Sequence, residues 1–324
     1  MPNQSMYTGA LKQVAPASAS RPYSAGTGAV PRVPVAKTHP IPPSQQDCAR
    51  AWLDQGACDQ APAKPAAAVV FVRDGANGVE TFMTYRVKSP MGRVAFPGGL
   101  GVRQDYAPLG WVGPGGEYWA KSFAQEDLGA TSAVVVTAIR ELFEETGVLL
   151  AGDNELSTIE LTSGHECMTS RQSVAQQEKI FADYLERRGL KIRADLLKPL
   201  ARWQSPGFFH KRYDVHYFTC AVPVGQSPSL LAGKGIWGRW VSARDLIAAP
   251  SSTALGDEIG QPDTVGVPFQ ELVTPGVMYL LEQLAGASGA VAFLSKRRQV
   301  SLYLPEVKRD VTGTCYLSVE EKKV

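Results

Sequence analysis

Glutamates at helical spacing are the residues of this chain best suited to chemistry. Glu141, Glu144 and Glu145 stand at i, i+3 and i+4, so a helix places their carboxylates on one face. Like charges at this spacing repel one another unless a cation lies between them. Mg²⁺ and Mn²⁺ prefer oxygen ligands, and Arg140 can hold one carboxylate through charge-assisted hydrogen bonds. The cluster therefore predicts a site for a hard divalent cation.

An acidic, solvated helix surface with ordinary ion pairs is the alternative, and a bare cluster of glutamates favours it. The surroundings of this cluster favour the metal site instead. The glutamates lie in the run Arg-Glu-Leu-Phe-Glu-Glu-Thr-Gly-Val (140–148), and a Phe-Pro-Gly-Gly turn (96–99) follows two predicted strands upstream.

These two segments resemble the two parts of the Nudix box. Residues 140–148 are similar to its second half, Arg-Glu-(apolar)-x-Glu-Glu-x-Gly-(apolar), and residues 96–99 are similar to the turn that opens it, with Gly99 as the box glycine. The resemblance covers roughly residues 66–285. It implies an α/β protein with a Nudix-type α/β/α sandwich and a mixed sheet, a fold in which nucleoside diphosphates linked to another group are hydrolysed.

The resemblance also implies roles for individual residues. Glu144 and Glu145 would be metal ligands, and Glu141 would be a further ligand or the residue that helps to activate water, so all three count as catalytic. Gly98 would offer its carbonyl to the metal. The implied cofactor is Mg²⁺ or Mn²⁺.

The box departs from the family pattern between its glycine and its arginine. The pattern has 5 + 1 + 7 = 13 residues there, whereas positions 100–139 number 40, which is 27 more. Counting back eight positions from Arg140 gives Ser132 in place of the box glutamate. Glu117 and Glu126 are candidates for the missing carboxylate, and the spacing does not decide between them.

A box split in this way resembles the branch of acyl-coenzyme A diphosphatases. Two other stretches agree: Trp-Gln-Ser-Pro (203–206) is similar to that branch's Trp-x-(Ser/Thr)-Pro, and Lys-Arg-Tyr-Asp (211–214) is similar to its Arg-Arg-Phe-Asp. The chain departs from the relatives at one further position, since it has Lys234 where many of them carry a glutamate.

Three arginines near the strands that lead to the box are candidate phosphate contacts. They are Arg86, Arg93 and Arg212. For each of them a structural ion pair is the more common role.

The domain organisation follows from composition. Residues 1–64 hold nine of the 23 prolines and few large apolar residues, which predicts a flexible arm that carries a short helix around Asp47–Asp54. Residues 65–290 are the expected Nudix domain, with 100–130 as an inserted loop. Residues 291–324 form a C-terminal tail without an assigned role.

Hydrophobic patterns place the elements around the box. The helix with the glutamates is expected to begin at Thr131 or Ser132, to bury Val135, Ile139 and Leu142, and to end at Gly147. Further elements are predicted from runs of apolar residues and from turn and capping residues. They are strands at 66–73, 81–87, 213–222 and 237–241, and helices at 173–188, from Ser242 and from Thr274.

Composition limits the class of protein. The chain has 44% apolar and 20% charged residues and a net charge of +2, values that fit a globular protein without a nucleic-acid or membrane surface. The five cysteines form no close pair of the kind that holds zinc. We expect a cytoplasmic protein with a small nucleotide-type substrate, and we leave a homodimer open.

Two functional hypotheses follow. The first is a metal-dependent hydrolase that cleaves the pyrophosphate bond of a nucleoside-diphosphate-linked substrate, with coenzyme A or an acyl-coenzyme A derivative favoured. The second is a Nudix-fold nucleotide-binding or regulatory module without catalysis, which the incomplete first half of the box favours.

Overall fold

The computed structural model of the protein describes residues 37–56, 61–87, 92–160, 165–231 and 235–323. The strands in these ranges are β1 (Lys37–Pro40), β2 (Lys64–Phe71), β3 (Arg73–Gly75), β4 (Gly78–Tyr85), β5 (Val94–Ala95), β6 (Gly98–Leu100), β7 (Trp111–Val112), β8 (Ala151–Gly152), β9 (Lys191–Arg193), β10 (Lys198–Gln204), β11 (Tyr213–Cys220), β12 (Gly238–Ser242), β13 (Ser301–Arg309) and β14 (Cys315–Lys323). The helices are α1 (Gln46–Gln55), α2 (Gly116–Phe123), α3 (Leu128–Thr146), α4 (His165–Ala175), α5 (Phe181–Arg187), α6 (Ala243–Ala248), α7 (Ala254–Ile259), α8 (Phe269–Leu272), α9 (Pro275–Ala285) and α10 (Ala290–Ser295). None of these helices is long and apolar enough to cross a bilayer.

The strands form one large mixed sheet and two smaller sheets. The large sheet has the order β1-β14-β13-β10-β11-β2-β6, in which β10 and β13 are parallel, as are β11 and β2. A second sheet has the order β12-β4-β3, with β5 paired to β4, and a third has the order β7-β9-β8.

Strand β2 lies between two layers of the hydrophobic core. Ala66, Ala68 and Val70 belong to one core cluster, whereas Ala67 and Val69 belong to the other. The first cluster includes apolar residues of α9, and the second includes those of α3, so helices cover both faces of the sheet. A strand buried on both faces reads as a continuous apolar run. The predicted α/β/α sandwich with a mixed sheet is confirmed.

Helix α3 begins earlier than predicted. Its N-cap is Asp127, whose side chain accepts a hydrogen bond from the Ala130 N–H at 2.9 Å. Thr131, the expected cap, is fully buried inside the first turn, and its hydroxyl donates to the Asp127 carbonyl at 2.7 Å. The end is as predicted, because Gly147 adopts the left-handed conformation (φ +74°) and its N–H donates to the Phe143 carbonyl.

Residues near both ends of the described chain extend the large sheet. Strand β14 pairs with β13 and with β1, and α1 packs its Ala49 against Cys315 and Leu317. The side chain of Gln46 joins the two ends, since it donates to the Cys315 carbonyl and accepts from the Cys315 N–H.

Regular secondary structure therefore continues into the segments that composition set apart from the domain. Residues 37–55, assigned to a flexible arm, contain β1 and the predicted helix, and residues 301–323, assigned to a tail, form a hairpin. Pairing with neighbouring strands supplies the backbone hydrogen bonds of both segments. The part of the predicted arm at residues 1–36 lies outside the described residues.

Two other stretches also differ from their predicted form. The stretch at 100–130, expected to be a loop, contains helix α2, which buries Trp119 and Phe123 against Phe218 of the sheet. The single helix expected at 173–188 is divided, since α4 ends at Ala175 and α5 begins at Phe181.

The inserted helix α2 covers a histidine whose burial predicts sensitivity to acid. His216 of β11 is fully buried, and its ring centroid lies 4.8 Å from that of Phe123. Burial lowers the pKa of His216 to about 4, although the charge of Asp214 opposes this. From pH 6.5 down to pH 4 the unfolded chain binds a proton here that the folded protein does not bind. The free energy of unfolding should therefore fall by about 3 kcal/mol over this range because of His216.

Urea unfolding between pH 7 and pH 4 measures this loss. His216→Phe should remove it, whereas the same substitution at the exposed His210 should leave it unchanged. An equal acid-induced loss in His216→Phe and in the wild-type protein would contradict the prediction.

Candidate active site

The two glycines at the start of β6 let this strand lie directly against β2 and α3. Gly98 and Gly99 pair with Ala68 and Ala67 of β2. Gly98 has φ +154°, and a Cβ atom there would overlap the backbone carbonyl of Ala67. A Cβ atom at Gly99 would overlap the carboxylate of Glu141. The absence of side chains at both positions therefore allows the helix carboxylates to approach the turn.

Arg140 organises the carboxylates of α3. It is only 5% exposed, and its Nη1 donates hydrogen bonds of 2.8 Å to both Glu141 and Glu144. Its Nη2 donates to the Leu100 carbonyl at 2.9 Å, which ties the helix to the end of β6. One guanidinium thus holds two of the three predicted metal ligands side by side.

Asp105 completes the shell around Arg140, although no predicted motif included it. Its carboxylate accepts from Arg140 Nε at 2.7 Å and from Nη2 at 3.0 Å, and also from the Thr137 hydroxyl and the Val102 N–H. Asp105 is 3% exposed, so this is a buried bidentate ion pair. It lies six positions after Gly99, at the place of the box glutamate when the count runs forward from the glycine. The 27 extra residues therefore lie between this carboxylate and Arg140.

Glu145 lies on the other side of the site, against the glycine turn. Its Oε2 accepts from the Gly98 N–H at 3.1 Å and from Arg86 Nη2 at 2.9 Å. The same Arg86 nitrogen also donates to the carbonyls of Phe96 and Gly98. Arg86 thus adds a positive charge next to the Gly98 carbonyl and the third carboxylate.

The charges of the site perturb two of its groups. Burial raises the pKa of the Glu145 carboxyl, and the charge of Glu141 adds to this, whereas Arg86 and the Gly98 N–H oppose it. Burial alone would lower the pKa of the Arg140 guanidinium. Hydrogen bonds to Asp105 and the negative charges of Glu141, Asp105 and Glu144 outweigh burial, so this pKa is raised above its usual value. Arg140 is therefore a permanent cation at the centre of the carboxylates.

The donor atoms of the site suit a hard divalent cation. Among the described residues, no three acidic, histidine or cysteine side chains converge tightly enough to enclose an ion. Mg²⁺ rarely needs such a cage, since it keeps several waters and binds through one or two carboxylates plus substrate phosphates. Glu141, Glu144, Glu145 and the Gly98 carbonyl offer oxygen donors of that kind on one side of α3.

Comparison with known proteins identifies the fold. No protein-family model matches the chain, and no curated protein matches it. The crystal structure of a Nudix hydrolase from Alicyclobacillus acidocaldarius superposes with a TM-score of 0.55 and 23% identity, covering 74% of this chain and 99% of that one. The protein has the Nudix fold.

Two other solved structures match at lower scores. They are an Ap4A hydrolase from C. elegans in a binary complex (16% identity, 61% of this chain, 93% of that chain, TM-score 0.27) and the NUDIX domain of NrtR from Shewanella oneidensis with ADP ribose (12%, 69%, 86%, 0.29). These scores are too low to support an argument about this chain.

Other predicted site residues lie elsewhere on the Nudix fold. Arg93 donates to the carbonyls of Asp263 and Glu271, and Arg212 donates to that of Ala61 at 3.0 Å. Both make structural contacts to the backbone, whereas Arg86 lies at the carboxylates.

The two glutamates considered for the missing box position are not neighbours of Arg140. Glu117 is exposed at the start of α2, and Glu126 is exposed just before α3. Ser132, the residue at the box spacing from Arg140, faces Gly116 of α2. Lys234 lies outside the described residues.

The contact between Gly99 and Glu141 predicts the effect of a small substitution. Gly99→Ala should push the Glu141 carboxylate away, because the clash involves the end of a flexible side chain and no backbone. We expect a 10- to 100-fold loss of hydrolytic activity or metal affinity, the range typical when a group that positions a metal ligand is changed. Manganese titration and steady-state kinetics measure both.

Gly98→Ala provides the contrasting variant. Its Cβ would overlap backbone atoms of β2, so it should lower stability as well as activity. A Gly99→Ala protein with full activity and unchanged metal affinity would contradict the placement of Glu141.

Proposed function

We propose that this protein is a metal-dependent hydrolase that cleaves the pyrophosphate bond of a nucleoside-diphosphate-linked substrate. The observation that carries the proposal is the convergence on Arg140 of Asp105, Glu141 and Glu144, with Glu145 held against the Gly98 turn. A solvated acidic surface would not need the buried guanidinium of Arg140 and the buried carboxylate of Asp105 to order its glutamates. The related fold of a protein named as a Nudix hydrolase supports the proposal.

The proposed mechanism assigns each residue a task. Mg²⁺ or Mn²⁺ bound by Glu144, Glu145 and the Gly98 carbonyl would neutralise the pyrophosphate oxygens and polarise a water. Arg140 holds Glu141 through Oε1, which leaves Oε2 to accept the proton of the attacking water. The water oxygen forms a bond to phosphorus while the bond to the bridging oxygen breaks, and the leaving phosphate keeps that electron pair.

A coenzyme A derivative is the substrate that we favour. Support comes from the split box, whose extra residues stand between Asp105 and Arg140, and from residues 203–206 and 211–214, which resemble stretches of acyl-coenzyme A diphosphatases. In the structure these two stretches lie at neighbouring ends of the paired strands β10 and β11.

The test is identification of the product. The full chain with Mg²⁺ or Mn²⁺ should release 3′,5′-ADP from coenzyme A, and little of any product from nucleoside triphosphates. Parallel reactions with NADH and ADP-ribose separate the general activity from the preferred substrate. Release of products from those two compounds, without 3′,5′-ADP from coenzyme A, would overturn the substrate but keep the activity.

A nucleotide-binding module without catalysis remains the competing function. Among the described residues, no group of three acidic, histidine or cysteine side chains is arranged to hold a metal ion, and this favours the module. This function predicts that a nucleotide raises the melting temperature while no substrate of the panel yields a product. That result would overturn the proposed hydrolase.

A further inference from the structure

Arg86 lies just after β4 and contacts the proposed metal ligands with a single nitrogen atom. Its Nη2 donates to the carbonyls of Phe96 and Gly98 and, at 2.9 Å, to Glu145 Oε2. Three oxygen atoms, from the turn and from helix α3, thus contact one positively charged nitrogen. Two of them belong to groups that are proposed to bind Mg²⁺ or Mn²⁺. The guanidinium therefore uses donor atoms that the metal ion also needs.

A metal ion on the same oxygens would lie close to this nitrogen. Mg²⁺ binds oxygen ligands at about 2.1 Å. An ion bound to Glu145 Oε2 would therefore lie within about 5 Å of Arg86 Nη2. At that separation a doubly charged ion and a guanidinium repel each other strongly in a part-buried site. The two cations cannot both keep their full set of contacts.

The second arginine of the site, Arg140, differs because it has a carboxylate of its own. It donates two hydrogen bonds to Asp105, which is not a proposed metal ligand. The charge of Asp105 offsets that of Arg140. Arg140 can therefore stay in place and hold Glu144 while that residue binds a cation.

Arg86 has no carboxylate of this kind. Glu145 is its only ion-pair partner among the described residues, and its buried Nε has no hydrogen-bond partner among them. Its side chain is 14% exposed, against 6% for that of Arg140. A metal ion that takes Glu145 would therefore leave the Arg86 guanidinium without a counter-charge, and this partly exposed group can turn towards water.

We propose that Arg86 competes with the metal for Glu145 and the Gly98 carbonyl, and that it thereby sets the affinity of the site for free metal. The inference rests on the proposed function for the assignment of these two ligands. Metal binding displaces the guanidinium, and the hydrogen bonds that are lost in this exchange weaken the binding of metal. A supporting role of Arg86 would have the opposite sign, because an arginine that only fixes metal ligands raises the affinity for metal.

Mn²⁺ titration of the full chain distinguishes competition from support. Electron paramagnetic resonance of free Mn²⁺ gives the Kd without any turnover. Arg86→Gln should bind Mn²⁺ at least about tenfold more tightly than the wild-type protein, since one charge-assisted hydrogen bond no longer has to be broken. Arg86→Lys keeps a positive charge and should show a smaller gain.

Arg202→Gln is the matched control, since it removes the same charge from a pair of similar burial. Arg202 is 13% exposed and donates two hydrogen bonds to Asp214, and this pair lies on β10 and β11, outside the proposed metal ligands. The variant should bind Mn²⁺ as the wild-type protein does. Arg86 opposes the rise in the pKa of the Glu145 carboxyl that burial causes, so all titrations are run at pH 8 to favour the carboxylate in every variant.

A measurement on the wild-type protein covers the case in which Arg86→Gln is unstable. Phenylglyoxal modifies accessible guanidinium groups, and mass spectrometry of the peptides identifies which arginines have reacted. Saturating Mg²⁺ should make Arg86 several-fold more reactive, because displacement exposes it, whereas Arg140 should stay protected by Asp105. Reactivity of Arg86 that Mg²⁺ leaves unchanged or lowers would overturn the inference.

The outcomes separate this inference from the proposed function. Equal or weaker Mn²⁺ binding by Arg86→Gln, relative to the wild-type protein, would overturn the inference whatever the hydrolysis assay gives. Tighter binding by this variant, with no product from any substrate of the panel, would support the inference and overturn the hydrolase. Absence of Mn²⁺ binding in both proteins would overturn the metal site and, with it, both proposals.

Discussion

Replacing Glu144 or Glu145 with glutamine should reduce kcat for pyrophosphate hydrolysis by at least about 100-fold. Changing a residue that merely supports a metal ligand typically costs 10- to 100-fold, so loss of a ligand should reach or exceed the upper value. Glutamine preserves the size of the side chain but removes the charge, and with it the attraction for Mg²⁺ or Mn²⁺. Steady-state kinetics with coenzyme A as substrate provide the measurement.

Metal binding is checked separately from catalysis. Mn²⁺ should raise the melting temperature of the wild-type protein, and this shift should disappear in Glu144→Gln and Glu145→Gln, because a ligand stabilises only the state that binds it. Glu186→Gln, on the exposed surface of α5, is the matched control and should behave as wild type. Full activity in both site variants would refute the metal-site assignment.

Replacing Asp105 with asparagine should lower the free energy of unfolding by about 3 kcal/mol, the lower end of the range for breaking a buried ion pair. The lower end applies because Arg140 keeps Glu141 and Glu144 as partners. Activity should fall as well, since Arg140 would no longer be fixed on both sides. Urea unfolding at neutral pH measures the first effect and steady-state kinetics the second.

Glu117→Gln and Glu126→Gln are the controls for Asp105. Both glutamates are exposed and lie in the same inserted region, so each substitution should change stability by no more than about 0.5 kcal/mol. If Asp105→Asn proved as neutral as these two, the buried pair with Arg140 would not be what orders the site. A double-mutant cycle between Asp105 and Arg140 would then report little coupling.

Local pattern was sufficient to predict the helix and the turn that hold the proposed site. The spacing of Glu141, Glu144 and Glu145 set their common face, because side-chain direction in a helix follows its 3.6-residue period. Gly147 marked the helix end, and the glycines of residues 96–99 marked the sharp turn. The continuous apolar run of β2 indicated a strand buried on both faces.

The partners of these residues depended on contacts that cross long stretches of chain. Arg86 and Glu145 are 59 positions apart, and Asp105 and Arg140 are 35 positions apart with an entire helix between them. Counting six positions forward from Gly99 was the one signal in the sequence that could have found Asp105. Counting back from Arg140 could not find it, because the 27 extra residues lie between Asp105 and Arg140. Spacing is informative only where the chain between two residues has a regular structure.

At both ends of the described chain, too, contacts between distant segments decided what local pattern did not predict. Strands β1, β13 and β14 have weak patterns, and only their pairing in the large sheet makes them strands. The sequence by itself determined which residues form the carboxylate face of α3. The tertiary structure decided what holds that face in place, which are the Asp105–Arg140 pair, the contact of Arg86 with Glu145 and the close approach of Gly98 and Gly99. These contacts depend on packing between distant segments, and no local propensity encodes them.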